Sequence, residues 1–465
     1  MSVATEQDDF VGRGAELGVL EAAWKAPGGA FIPVYGRRRV GKSELILRFL
    51  AKKPAIYHVG KVAPAAPQLR EFLAEAARTL QDPVLAALPA DSWRMALDLI
   101  SERWSGPGKL VIALDEFQWS AGASPELPSE LQELWDRRWR KSGRIMLILC
   151  GSWIGFMERE VLGARSPLFG RRTNQIHLKP FGHREATQFH PGWSRINQAR
   201  AYFVCGGVPL YLRALPTERS FETGVADALL DEFAPLGREP EFLLREELRG
   251  LDVYNAVLLA LAAGHTQMRA IAKVSGVPER NLHYPMQQLS ELGYVARRHP
   301  LTGTKPAARN VHFVLDDPLL RFWFRFVFPN RSHIQRVGAR RAFQELIAPE
   351  LDSYLGGCFE RLCREALPAI YDREGVQGPY EIGQYWDKQA QIDVVGLRDD
   401  GVTDLGESKW SPVTSSPALA RELALKVERY PNRRGATIVP RAFVRSLPRK
   451  PAPGIRWHDL EDLYR

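Results

Sequence analysis

The chain has 465 residues, too many for one ordinary domain, so two to four folding units are expected. Its residues, 45% hydrophobic and 25% charged, suit a soluble globular protein, and no apolar run is long enough to cross a bilayer, so no membrane partner is expected. A formal net charge of +9 is mild for this length and by itself excludes neither acidic nor neutral partners.

The opening MSVATEQDDF has neither a basic nor an apolar segment, and the four cysteines, Cys150, Cys205, Cys358 and Cys363, include no CxxC pair. A cytoplasmic, reduced protein without a zinc site is the expectation. From residue 1 to 190, short apolar runs alternate with amphipathic segments. FIPVYG (31–36), KLVIALDEF (109–117) and RIMLILCGS (144–152) read as buried parallel strands, which predicts a doubly wound sheet.

GRRRVGKS follows the first of these strands and opens a helix: Gly36, Arg37, Arg38, Arg39, Val40, Gly41, Lys42 and Ser43, with Glu44 next. It satisfies G-x-x-x-x-G-K-[ST] in full, in the strand–loop–helix context that the motif needs. Glycines let the backbone wrap phosphates, and the helix N-terminus aims its amides at them. ATP and Mg²⁺ are therefore expected, with Lys42 reaching the β- and γ-phosphates and Ser43 holding the cation. LVIALDE delivers Asp115 and Glu116 to the carboxyl edge of a buried strand. Asp115 would orient the Mg²⁺ shell, and Glu116 would polarise the attacking water.

Residues 191–250 turn helical and charged and are expected to form a lid. Residues 251–320 predict three short helices and a hairpin, the pattern of a winged helix-turn-helix. Leu282, Met286, Leu289 and Leu292 share one face of the third helix, while Arg280, Asn281, His283 and Gln287 lie off it, where a recognition helix would meet a major groove. Arg297 and Arg298 begin the wing and would meet phosphates. Pro285 interrupts the third helix and predicts a kink. Arg297, Arg298, Lys305, Arg309, Arg321, Arg325, Arg331, Arg336, Arg340 and Arg341 face few acids, so this stretch reads as a nucleic-acid surface or, alternatively, an ordinary solvated face. A packing or regulatory role for the winged helix is the other reading. Residues 321–345 read as a linker, whose aromatic run 322–328 favours core over base stacking.

Residues 346–465 begin with a helix, then two strands, QIDVVGL and VTDLGESKW, joined by a DDG turn. Asp393 ends one strand and Glu407 lies on the other, with Lys409 two residues on and so on the same face. Two carboxylates can share Mg²⁺ or Mn²⁺ while the lysine steadies a nucleophile or phosphate, and Glu360 on the preceding helix can complete the set. Lys426 and Tyr430 read as ordinary helix-surface and packing residues, with groove contacts as the alternative.

The segments FVGRGAELGVLEAAW, VYGRRRVGKSEL, LDEFQW and CGSWIGFM resemble the archaeal-type ATPases related to the STAND class of AAA+ NTPases, over about the first 250 residues. The resemblance implies that Val11, Gly12 and Arg13 lie near the adenine and that Ser152 is a polar sensor, unless it simply caps the next helix. It makes Arg171 or Arg172 a γ-phosphate or inter-subunit arginine. Gly207 and Pro209, if more than a turn, report nucleotide state to the next domain. The C-terminal pattern resembles the PD-(D/E)xK nuclease superfamily, in particular the uncharacterised domain that accompanies this ATPase type, and LDDPLLRFWFRFVFPN matches the linker before it. Ile392 stands where the superfamily name has proline. The implied fold is multidomain α/β: a P-loop AAA+-like doubly wound parallel sheet, a helical lid, a winged helix-turn-helix and a restriction-endonuclease-like α/β domain. The implied activity is ATP hydrolysis gating a metal-dependent DNA nuclease. A nucleotide-switched DNA-binding regulator with a silent nuclease-like domain is the alternative, and a translocase or loader a third reading. A homo-oligomer follows if Arg171 or Arg172 acts across a subunit boundary, and a protein partner is also compatible.

Overall fold

Continuous apolar runs become strands covered on both faces. β1 (Ala30–Tyr35), β3 (Leu110–Asp115) and β4 (Ile145–Gly151) are buried along their whole length in the computed structural model, which describes residues 10–87, 91–304 and 310–465. With β2 (Ala55–Val59) and β5 (Ile176–His177) they form a parallel sheet in the order β2-β3-β4-β1-β5. Side chains of alternate parity feed two apolar layers, one around Phe72, Trp93 and Trp139, the other around Leu45, Ile46 and Phe49. Pro33 sits inside β1 without breaking it. Phe31 and Tyr35, of the same parity, turn their carbonyls to Thr173 and Leu178, and β5 pairs with β1 only from Val34, so the absent N–H of Pro33 falls in a gap.

The chain divides into two compact units. One holds the residues up to Pro180 together with Val208–Leu210, and the other holds Phe181–Gly207 and Tyr211–Arg465. In the second unit the helices Leu251–Ala262, Met268–Ser275 and Glu279–Glu291 precede an antiparallel hairpin of β6 (Val295–Arg298) and β7 (His312–Leu315). The third helix runs on through Pro285, whose ring is buried beside Leu282, Met286 and Leu289.

The segment 321–345 is not a linker. It is helical nearly throughout, and Phe322, Trp323, Phe324 and Phe326 are buried, with Trp323 Nε1 donating to the Gly237 carbonyl at 3.1 Å. So many aromatic rings gain more from a shared core than a solvated tether allows.

The long helix Leu351–Glu374 packs on a mixed sheet in the order β12-β11-β10-β9-β8: β8 (Tyr380–Trp386), β9 (Gln391–Arg398), β10 (Val402–Lys409), β11 (Thr437–Val444) and β12 (Arg456–His458). β8, β9 and β10 run antiparallel to one another, and β11 and β12 join parallel. Gly396 is required where helix meets sheet, since a Cβ there would lie 2.0 Å from the Tyr371 hydroxyl. That hydroxyl donates to Asp404 Oδ2 at 2.6 Å, and the fully buried Arg441 donates to Asp404 Oδ1 at 2.6 Å and, with both terminal nitrogens, to Glu374. Buried charges survive when paired on every side in this way.

Candidate functional site

The sheet order puts β3, β4 and β1 side by side, so their carboxyl ends bring together Asp115 and Glu116, Ser152, and the loop 36–43. A parallel sheet presents ligand sites at this edge. The loop turns sharply, with left-handed φ values of 68° at Arg39 and 90° at Gly41, and the helix Lys42–Leu50 starts at Lys42. Lys42 is buried and donates to the Arg37 carbonyl at 3.0 Å. Burial pulls its pKa down, opposed by Cys150, Glu116 and Asp115. Ser43 Oγ donates to Asp115 Oδ2 at 2.6 Å, while Val40 is buried, Arg38 and Glu44 are half-buried and Arg39 is exposed.

Glu116 stands just beyond β3 with a left-handed φ of 48°, and Ser152 Oγ donates to its Oε2 at 2.6 Å, with Gln118 Nε2 donating to the same oxygen. Ser152 is therefore joined to the carboxylate rather than only capping a helix. Two members of this site were not expected. Tyr57, in the middle of β2, donates to Asp115 Oδ2 at 2.6 Å, and burial beside that carboxylate pushes its phenol pKa up. Gln118 was the other, and its position two residues after Glu116 was the available signal.

Arg13 is buried at the start of the helix Gly14–Lys25 and donates to the carbonyls of Val40, at 3.2 Å, and Lys179, at 2.8 Å. It thus braces the phosphate loop from behind, with Val11 half-buried and Gly12 exposed beside it. Arg171 and Arg172, expected as γ-phosphate or inter-subunit arginines, differ in their surroundings. The Arg171 guanidinium is held by Asp136 at 2.7 Å and by the Pro167 and Phe169 carbonyls, whereas Arg172 is exposed. Pro209 belongs to the first unit and would lie 3.9 Å from a Cβ on Gly41, so it abuts the phosphate loop, while Gly207 belongs to the second.

In the C-terminal sheet, β9 and β10 pair so that Gly406 faces Val394, which sets Glu407 opposite Asp393 on one face. Asp393 Oδ2 accepts from the backbone and side chain of Ser408 at 3.1 and 2.9 Å. Glu407 accepts from Lys409 Nζ at 2.9 Å and from Lys426 Nζ at 2.5 Å, so Lys426 joins the set rather than lying on an ordinary helix surface. Tyr430 is a packing residue, stacked edge-on with Tyr385. Burial, then Asp393, raises the Glu360 pKa to about 7, and burial with Asp393 also raises that of Glu407. Among the described residues no three His, Cys, Asp or Glu side chains stand together as a ready metal cage.

Arg280, Asn281, His283 and Gln287 are all exposed on the third helix of the trio, and Arg297 is exposed on the hairpin. Arg298 is not a free wing residue: it turns to Asp316 at 2.8 Å. The basic stretch is largely neutralised. Arg325 pairs with Glu350, Arg331 with Glu241, Arg340 with Asp227 and Arg341 with Glu345, acids distant in sequence or one helical turn on. Lys305 and Arg309 lie outside the described residues.

No helix among the described residues is long and apolar enough to cross a membrane. Residues 323–420 match archaeal and bacterial proteins of unknown function. An uncharacterised protein of Methanocaldococcus jannaschii is 27% identical over 406 residues, covering 86% of this chain and 87% of that one. A Walker-type ATPase of Pyrococcus abyssi shares 20% identity with a TM-score of 0.50, over 69% of this chain and 97% of that one, and so shares the fold. The ORC2 protein of Aeropyrum pernix, at 16% identity and a TM-score of 0.42, covers 70% and 95%. Residues 10–215 match the ATPase domain predominantly from Archaea, and within them the loop 36–43, Asp115 and Glu116 stand at one sheet edge, the arrangement of a P-loop ATPase.

Proposed function

We propose that this protein couples ATP hydrolysis at the phosphate loop to metal-dependent cleavage of DNA by the C-terminal sheet. Lys42 binds the β- and γ-phosphates, Ser43 and Asp115 hold Mg²⁺, and Glu116, oriented by Ser152, takes the proton of the attacking water. The observation that carries the second half is the pairing of Asp393 with Glu407 across β9 and β10, with Lys409 on the same face and Glu360 near enough to raise its own pKa against both. Mg²⁺ is commonly held by one or two carboxylates together with substrate phosphates, which this set suits better than a dedicated cage would. The cation would supply charge neutralisation at the phosphate. Lys409 then steadies the nucleophile, and Arg280, Asn281, His283, Gln287 and Arg297 offer exposed donors to DNA.

One observation favours the second reading, a nucleotide-switched DNA-binding regulator. Both Glu407 oxygens are engaged by lysines, which is how a retired carboxylate site would also look. Cleavage of plasmid and linear DNA with Mg²⁺ or Mn²⁺, with and without ATP, separates them. On the first reading Glu407→Ala removes cutting by about two orders of magnitude or more while ATP hydrolysis continues, and Lys42→Ala removes its ATP dependence. Hydrolysis of ATP with no cutting under any condition gives the regulator reading.

A further inference from the structure

Within the second unit, beside Glu360, lies a cavity of about 360 Å³, inside the range of small-molecule sites. Its walls come from the β6–β7 hairpin, the helix Leu351–Glu374, and strands β8 and β9. Four arginines, Arg298, Arg321, Arg361 and Arg364, line it against two carboxylates, Asp316 and Glu360. Asp316 is shared, by Arg298 at 2.8 Å and Arg361 at 3.4 Å.

Arg364 has no carboxylate within ion-pair distance among the described residues. Its Nη1 donates to the Asp393 carbonyl at 2.5 Å; burial and Arg298 work against its charge, while Glu360 and Asp393 favour it. A guanidinium does not relieve its burial by losing its proton, and an arriving anion would add to the compensation that Glu360 and Asp393 give from a distance. Arg321 adds a buried Nε with no hydrogen-bond partner. One wall is flat: His312 of the hairpin and Trp386 of β8 stack with centroids 4.3 Å apart and planes 14° from parallel, and Trp386 is fixed by a 2.9 Å hydrogen bond to Asn310.

We propose that this cavity binds one nucleotide unit, with its phosphate on Arg364 and Arg298 and its base against the His312–Trp386 pair. The inference rests on the nuclease reading in one respect: the unit is taken to be an unpaired nucleotide of the strand whose neighbouring phosphate meets Glu360, Asp393 and Glu407. A planar ring suits the aromatic wall, and a base must leave a duplex to reach it. The hairpin would then be part of the C-terminal site, and not only a contact to duplex DNA.

The test uses the full chain carrying Lys42→Ala, so that the phosphate loop contributes no nucleotide binding, in EDTA so that nothing is cut. Binding of a fluorescent single strand, the matching duplex and dAMP is measured by anisotropy and competition. Gln391→Glu places a negative charge at the exposed rim of the cavity, and Arg298→Gln removes one cation, neither in a buried position. Each should weaken single-strand binding by about tenfold or more and duplex binding less. Displacement of the strand by dAMP supports a site for one nucleotide unit. Binding of dAMP without the strand assigns the cavity to free mononucleotides and overturns the strand reading. Unchanged strand and dAMP binding in both variants overturns the proposal. If Gln391→Glu binds normally while Glu407→Ala abolishes cutting, the cavity falls and the nuclease stands. Weakened binding in Gln391→Glu with no cutting by any protein gives the reverse.

Discussion

Glu360 is a carboxyl held where its charged form is unwelcome. Burial and the carboxylates Asp393 and Glu407 raise its pKa from about 4.5 to about 7, so the folded chain keeps a proton that the unfolded chain releases. Between those values the unfolded state binds fewer protons, and stability falls as pH rises through 7. Glu360→Gln removes that fall. Urea unfolding at pH 5 and pH 8 should show the wild type losing on the order of 3 kcal/mol more than the variant across that interval. An equal loss in both would mean that Glu360 ionises freely. The same proton competes with a cation, so Mg²⁺ should bind the wild type more tightly at pH 8 than at pH 6. At this scale the sequence was most readable where the chemistry is local. Eight consecutive residues specify the phosphate loop, and Asp393, Glu407 and Lys409 lie within one strand pair. Tyr57 and Arg364 were not readable, because each acts through a partner 29 or more residues away.

The elements were legible in proportion to the regularity of their apolar pattern. β1, β3 and β4 are wholly buried runs, and the three helices before the hairpin carry clear stripes and stops. β8 was missed because YEIGQYW is half exposed, and β11 because Pro440 and Arg441 interrupt its apolar pattern. What fixes β11 is the ionic network under it. Arg441 Nη1 reaches His458 Nε2 on β12 at 3.0 Å, and burial followed by Arg441 lowers the His458 pKa to about 4. A histidine that must stay neutral when folded binds more protons when unfolded. Its stabilising contribution is complete above about 6.5 and lost as pH falls toward 4. His458→Gln keeps an acceptor for Arg441 without the titration. Relative to that variant, the wild type should lose on the order of 3 kcal/mol between pH 7 and pH 4, opposite in sign to Glu360. Parallel pH curves for the two proteins would show that the imidazole is not held neutral.

For the whole molecule, we propose that ATP at one unit is felt by the other. The chain itself supplies a route. Val208–Leu210 belong to the first unit, while Gly207 and Tyr211 on either side belong to the second. Pro209 abuts Gly41, where the loop makes its left-handed turn, so phosphates that rearranged the loop would act on a residue joined through the chain on both sides to the second unit. Proline transmits displacement because its φ is fixed. Hydrogen exchange measured with and without a non-hydrolysable ATP analogue should therefore change in residues 216–225 of the wild type, a stretch of the second unit beyond the matched ATPase domain. Lys42→Ala should abolish the change by abolishing binding. Pro209→Ala should keep nucleotide affinity within about threefold, since no phosphate contact is removed, yet shrink the change in exchange. If Pro209→Ala instead responds like wild type, coupling does not run through this residue. If it fails to bind the analogue, Pro209 supports the phosphate loop itself. A small response with intact binding would identify a positioning residue whose effect lies between the units, because a differential contact, not binding alone, shifts a conformational equilibrium.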